Sequence, residues 1–166
     1  MGWEWRVFIP MNDVQERLFS SNDNIEKRDD IYYVKSEKCG IKQRNGSREF
    51  EVKVLHDTTH RGAEYYKKHI VQNLAKDFSS NVKIRVHKER QKQVHNIQHG
   101  HIMCEVAYVC AKDKWWKSIC WEGDPKYIYK AVQDFYCLKD DWNLSDIQLP
   151  IDSVIGGYPR WLTSLQ

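Results

Sequence analysis

Apolar and polar residues alternate with a period of two through much of this chain, the pattern of strands that bury one face. Trp3 to Ile9 is the first such stretch, and Pro10 stops it. Asp13 is placed to cap a short helix through about Phe19, and the polar run Ser20 to Asp30 reads as a loop. Ile31 to Lys35, Gly40 to Arg44 and Arg48 to Leu55 read as three short strands, the last two joined by the hairpin signal Asn45-Gly46. The period then changes. Tyr66, Ile70, Leu74 and Phe78 recur every fourth residue, which predicts an amphipathic helix over Ala63 to Phe78. Period two returns in Val82 to Val94, where Val82, Ile84 and Val86 alternate with Lys83, Arg85 and His87. Polar turns at Asn96 to Gly100 and Lys112 to Lys114 frame two further strands, His101 to Ala111 and Trp115 to Glu122. Asp124-Pro125 sets an aspartate at the cap and a proline at the first position of a helix to about Leu138. The tail after Asp140 is irregular, with a short helix near Arg160 to Leu165. Hairpin-rich halves separated by one helix predict an antiparallel α+β domain, not a parallel α/β sheet.

Composition narrows the class. The 166 residues suit one domain spanning 1–166, and 41% apolar with 13% aromatic residues excludes a disordered chain. Lys and Arg number 26 against 23 Asp and Glu, so the net charge of +3 is too small to hold nucleic acid by bulk charge. No run approaches the roughly 18 apolar residues that span a bilayer, and Met1-Gly2-Trp3-Glu4 lacks the opening of a secretory signal. Five cysteines without C-x-x-C spacing argue against both a disulfide framework and a structural zinc site. A cytoplasmic protein without a membrane partner is expected. His95, His99 and His101 fit a turn better than a metal site. Trp115-Trp116, beside Lys112, Lys114 and Lys117, fits alternate burial better than a base-stacking platform.

The strand faces carry more information than the net charge. Glu49, Glu51 and Lys53 share one face, opposite Phe50, Val52 and Val54. Lys42 shares a face with Arg44, Glu4 with Arg6, and Glu122 with Ser118 and Cys120. One such face is an ordinary solvated surface. Repeated across strands, with helices free to cover the apolar faces from outside, it predicts an antiparallel β-barrel of about seven to eight strands with a charged lumen. Carboxylates mixed with Lys and Arg suit a polyphosphate and a divalent cation. Lys88 and Arg90 have the opposite parity to Lys83, Arg85 and His87, so either a bulge intervenes or the other set faces inward.

Several short motifs occur in order along the chain. Gly2-Trp3-Glu4-Trp5-Arg6 is followed by Phe8-Ile9-Pro10, then Asp30-Ile31-Tyr32-Tyr33 and Gly40-Ile41-Lys42-Gln43-Arg44. Glu51-Val52-Lys53, Lys88-Glu89-Arg90, Glu105, Cys120-Trp121-Glu122 and Gly157-Tyr158-Pro159-Arg160-Trp161-Leu162 complete the set. Together they resemble the CYTH superfamily of triphosphate tunnel proteins, which includes thiamine triphosphatases, inorganic triphosphatases and some adenylyl cyclases. The first motif is similar to the family's E-x-E-x-K, with Gly2 for the first Glu and Arg6 for Lys. The resemblance implies a tunnel barrel that hydrolyses a small-molecule triphosphate or polyphosphate with Mg²⁺ or Mn²⁺, by in-line attack of water on the terminal phosphorus. It implies that Arg6, Lys42, Arg44, Lys53, Lys88 and Arg90 bind substrate. It also implies that Glu4, Glu51, Glu105 and Glu122 hold metal, with Glu51 and Lys53 acting in catalysis. Gly2, Ala107 and Cys120 stand where the family has acids. That leaves two alternatives open: a polyanion-binding barrel with weakened catalysis, or a protein that recognises RNA 5′-triphosphate ends.

Overall fold

In the computed structural model, residues 2–12, 19, 24–44, 47–72, 82–97 and 99–166 are described. They form strands β1 (Trp3–Pro10), β2 (Glu26–Ser36), β3 (Cys39–Arg44), β4 (Glu49–Thr58), β5 (Glu64–Gln72), β6 (Val82–Ile97), β7 (Gly100–Ala111) and β8 (Lys114–Gly123). Helix α1 (Pro125–Tyr136), the two-residue strand β9 (Val154–Ile155) and helix α2 (Tyr158–Ser164) follow. The α+β class and the antiparallel sheet are as expected. The sheet runs β5-β4-β3-β2-β6-β7-β8-β1-β9, and β1 also pairs with β5, placing Trp3 opposite Tyr65 and Glu4 opposite Glu64. Each of the first eight strands therefore has a neighbour on both edges. One edge of β1 is shared: β5 takes its first two residues, β9 takes Val7 and Phe8, and the Gly156 N–H donates to the Arg6 carbonyl at 2.8 Å.

Alternation divides the core in two. Outward-facing Trp5, Val7, Ile102, Ile119 and Trp121 pack under α1 through Ile128 and Val132. The sequence sets that helix locally: the Asp124 carboxylate accepts the Lys126 N–H, Pro125 fills the first turn, and Cys137 closes it in a left-handed conformation. Inward-facing Phe8, Tyr32, Ile84, Val86, Ala107, Val109, Ala111 and Trp116 pack instead against Tyr158, Trp161 and Leu162 of α2. Helices on the outside of the sheet were expected, but α2 lies on the inner face. Its three apolar side chains need a second buried surface, and the outer one is already covered by α1.

Two elements differ from expectation. β5 replaces the helix predicted over Ala63 to Phe78, of which 73–78 lie outside the described residues. The fourfold spacing that suggested it does not mark a buried face: Tyr66 is buried, while Ile70 is 56% exposed. β2 begins at Glu26, inside the stretch expected to be a loop. Of the helix expected from Asp13 through about Phe19, 13–18 lie outside the described residues, as does the Asn45-Gly46 turn. The two indoles of Trp115-Trp116 do alternate, with Trp116 in the inner cluster and Trp115 edge-on to His87.

Candidate functional site

Beyond α2 the inner face changes from apolar to charged along single strands. On β6, Ile84 and Val86 are followed on the same face by Lys88 and Arg90, while Lys83 and Arg85 are exposed on the other. The register of β6 with β2 and β7 is continuous, so no bulge is needed to turn Lys88 inward. On β1 the inward series is Glu4, Arg6, Phe8. On β7 it is Glu105, Ala107, Val109. Each strand thus contributes apolar residues to one end of the interior and charge to the other.

The charged end is a cavity of about 310 Å³. All ten residues expected at a site line it: Arg6, Lys42, Arg44, Lys53, Lys88 and Arg90 with Glu4, Glu51, Glu105 and Glu122. Arg28, Lys68 and Lys92 join them, making nine cationic side chains against four carboxylates, together with Tyr32 and Tyr158. A larger hollow of about 530 Å³ lies elsewhere along β2, β6 and β7, near Lys83, Arg85 and His87, and has no such convergence.

Ion pairs organise the cavity wall. Glu105, 2% exposed, accepts from Arg6 Nη1 at 2.9 Å on one oxygen and from Arg90 Nη1 at 3.1 Å on the other. Burial alone would raise its carboxyl; Arg6, Lys88 and Arg90 outweigh that and hold it well below the usual carboxylate range. Arg6 also donates to Ser118 Oγ at 2.8 Å, and Arg90 reaches out to Glu26. Glu51 lies 3.7 Å from Lys42 Nζ and 3.5 Å from Lys68 Nζ, and Lys53 Nζ lies 3.3 Å from a Glu4 oxygen. Arg44 and Lys92 stand exposed at the rim.

Lys88 differs from these cations. It is 4% exposed, and among the described residues no carboxylate stands within ion-pairing distance of it. Its ammonium sits 4.3 Å from the centre of the Tyr158 ring, and the Arg6 guanidinium sits 4.8 Å from the same centre. Burial lowers the Lys88 ammonium to about 7; Glu105 and Asp30 oppose the shift, while Arg6 and Lys42 reinforce it. A buried ammonium with no direct ion pair, whose nearby carboxylates do not offset its burial, gains from an added anion.

Five contributors were missed at the sequence level. Arg28 falls in the misread loop and Lys68 in the misread helix; period-two counting through Glu26-Arg28-Asp30-Tyr32 would have found the first. Lys92 continues the parity of Lys88 and Arg90. Tyr32 and Tyr158 belonged to quoted motifs without a role, and the place of Tyr158 between Arg6 and Lys88 follows only from the packing of α2. A comparison of the chain with known protein families and with curated proteins finds no match to either.

Glu4, Glu51 and Glu105 are each engaged by a cation, and among the described residues Glu122 has no ion pair. Glu4 and Glu122 lie opposite each other on β1 and β8, and with Cys120 they bring three ligand atoms within 4.8 Å of one another. This donor set fits a divalent cation.

Proposed function

We propose that the ring of eight strands is a tunnel barrel that binds a triphosphate or polyphosphate and, with a divalent cation, hydrolyses its terminal anhydride. The observation that carries the reading is the convergence of nine cationic side chains on one cavity, one of them the buried and unpaired Lys88. Ordered cations in a partly desolvated site bind phosphate oxygens and stabilise charge developing on a leaving phosphate. Arg6 and Arg90, held in place by Glu105, present fixed guanidiniums; Lys88, Lys42 and Lys53 add ammonium groups. Glu4 and Glu122 would hold the cation, Mg²⁺ or Mn²⁺ by the CYTH resemblance. When bound, it supplies charge neutralisation and water activation. Glu51 and Lys53 stand on adjacent inward positions of β4, where a carboxylate can orient water and an ammonium can meet the terminal phosphate.

Calorimetric titration with tripolyphosphate, and phosphate release from tripolyphosphate, thiamine triphosphate and ATP, test this. Binding that weakens steeply with salt is expected, with release that stops on adding chelator and falls on Glu51→Gln. Absence of binding at low salt overturns the reading. Tight binding without release replaces hydrolysis by polyanion capture, and preference for triphosphorylated RNA replaces the small molecule by an RNA end.

A further inference from the structure

We propose that Glu4, Cys120 and Glu122 form a metal site with a thiolate ligand, so that the residues present fit Zn²⁺ and similar thiophilic ions in place of the Mg²⁺ or Mn²⁺ that the resemblance implies. What the ion does for a phosphate rests on the function proposed above; the site itself rests on the geometry of β1 and β8. Glu4 and Glu122 are direct cross-strand partners, an arrangement that like charges make unfavourable. Lys53 answers one Glu4 oxygen at 3.3 Å. Among the described residues Glu122 has no ion pair, although nine cationic side chains line the same cavity. Cys120, 0% exposed, completes the group: its Sγ is 3.9 Å from Glu4 Oε2 and 3.9 Å from Glu122 Oε1.

The three ligand atoms lie within 4.8 Å of one another, and one ion would draw them closer. Ligands about 2.0–2.3 Å from a tetrahedral zinc stand roughly 3.3–3.8 Å apart. Glu4 can offer Oε2 while Oε1 keeps Lys53, which would then orient the ligating carboxylate. A second observation comes from the adjoining hollow of about 150 Å³, which Glu4, Glu122 and Tyr66 line. Tyr66, 5% exposed, closes one side of it, with Lys53 and Lys68 completing the wall. The hollow gives room for a fourth ligand beside Glu4 and Glu122.

Sulfur decides the class of metal. Mg²⁺ takes oxygen ligands and keeps several waters, whereas Zn²⁺ accepts thiolate and carboxylate together. Binding forms a metal–sulfur bond and releases the thiol proton to solvent. Three protein ligands with one position left open is the pattern of a zinc site that engages substrate, here through a phosphate oxygen.

The test is a titration of the chelator-treated full chain with Co²⁺ in the absence of any phosphate. A thiolate-to-cobalt charge-transfer band is expected in the near ultraviolet, displaced by equimolar Zn²⁺ and unaffected by excess Mg²⁺. The band should survive Cys39→Ser and Cys137→Ser, vanish in Cys120→Ser, and weaken in Glu122→Gln. Zn²⁺ affinity should fall in Cys120→Ser by more than the roughly 10–100-fold typical of outer-shell changes. Absence of the band in the folded wild-type chain overturns the proposal, as does its persistence in Cys120→Ser. Tripolyphosphate binding measured separately in chelator keeps the two readings apart: binding without the band sinks only the thiolate site, and the band without binding sinks only the triphosphate reading.

Discussion

At the scale of single residues, Lys88 gives the cavity its pH dependence. Its ammonium half-titrates at about 7 in the free protein because burial disfavours the charge. A polyanion placed beside it restores the proton, so binding takes up a proton above pH 7. Tripolyphosphate affinity should therefore fall by up to about tenfold per pH unit as pH rises above 7, and level off below it. Lys88→Arg, which stays charged, should flatten that dependence, and Lys88→Met should weaken binding by about 10–100-fold. Calorimetry from pH 6 to 9 checks both, and an unchanged slope in Lys88→Arg would assign the proton elsewhere. Stability moves in the same window with a definite sign. The folded value lies below the unfolded value of about 10.4, so the unfolded chain binds more protons between pH 7 and 10.4. This residue's contribution makes the fold more stable as pH rises there. Lys88→Met should gain most stability at or below pH 7 and lose that part of the slope.

At the scale of elements, α2 joins the two halves of the interior. Trp161 stacks on Phe8 with ring centres 4.4 Å apart, and Leu162 is 2% exposed in the same cluster. One turn earlier, Gly157 N–H donates to the buried Glu64 carboxylate at 2.8 Å and Tyr158 enters the gap between Arg6 and Lys88. The apolar anchor and the cation spacer are thus one short helix. Leu162→Ala should cost about 2–5 kcal/mol by urea unfolding and also weaken tripolyphosphate binding, although Leu162 does not line the cavity. Loss of stability with unchanged affinity would separate the anchor from the site.

The same scale shows what was legible. Within a strand, parity is strict, so charged residues at i and i+2 identify a shared face without knowledge of the fold. That is why Lys42 with Arg44, Glu51 with Lys53 and Lys88 with Arg90 could be grouped correctly. β5 could not be read this way. Tyr66 and Ile70 mimic a helical stripe, and its strand character comes from pairing with β4 and β1, a tertiary effect. The inner position of α2 was equally hidden. A short amphipathic helix states that it needs an apolar surface, and not which of two it will occupy.

At the scale of the whole molecule, charge is separated rather than abundant. The chain carries +3 in total, yet the cavity gathers nine cationic side chains and four carboxylates, so the rest of the molecule is net negative. Concentrating like charge inside a ring of strands stores repulsion that a bound polyanion relieves. The seam of that ring is thin, since β1 and β5 meet through only two residue pairs while β1 and β8 pair along eight. Repulsion across the cavity therefore bears on the weakest line of hydrogen bonds, and an anion that bridges β1 and β4 cations supports it from within. Tripolyphosphate at about 100 times its dissociation constant should stabilise the fold by about 2.7 kcal/mol, raising Tm by roughly 5–11 °C for a domain of this size. Sulfate at matched ionic strength should give less, because one compact dianion cannot span the cation rows. Hydrogen exchange should show the added protection concentrated in β5 and the start of β1. A Tm shift equal for the two anions, or protection confined to β7 and β8, would mean that the anions act by general screening and not by bridging the cavity.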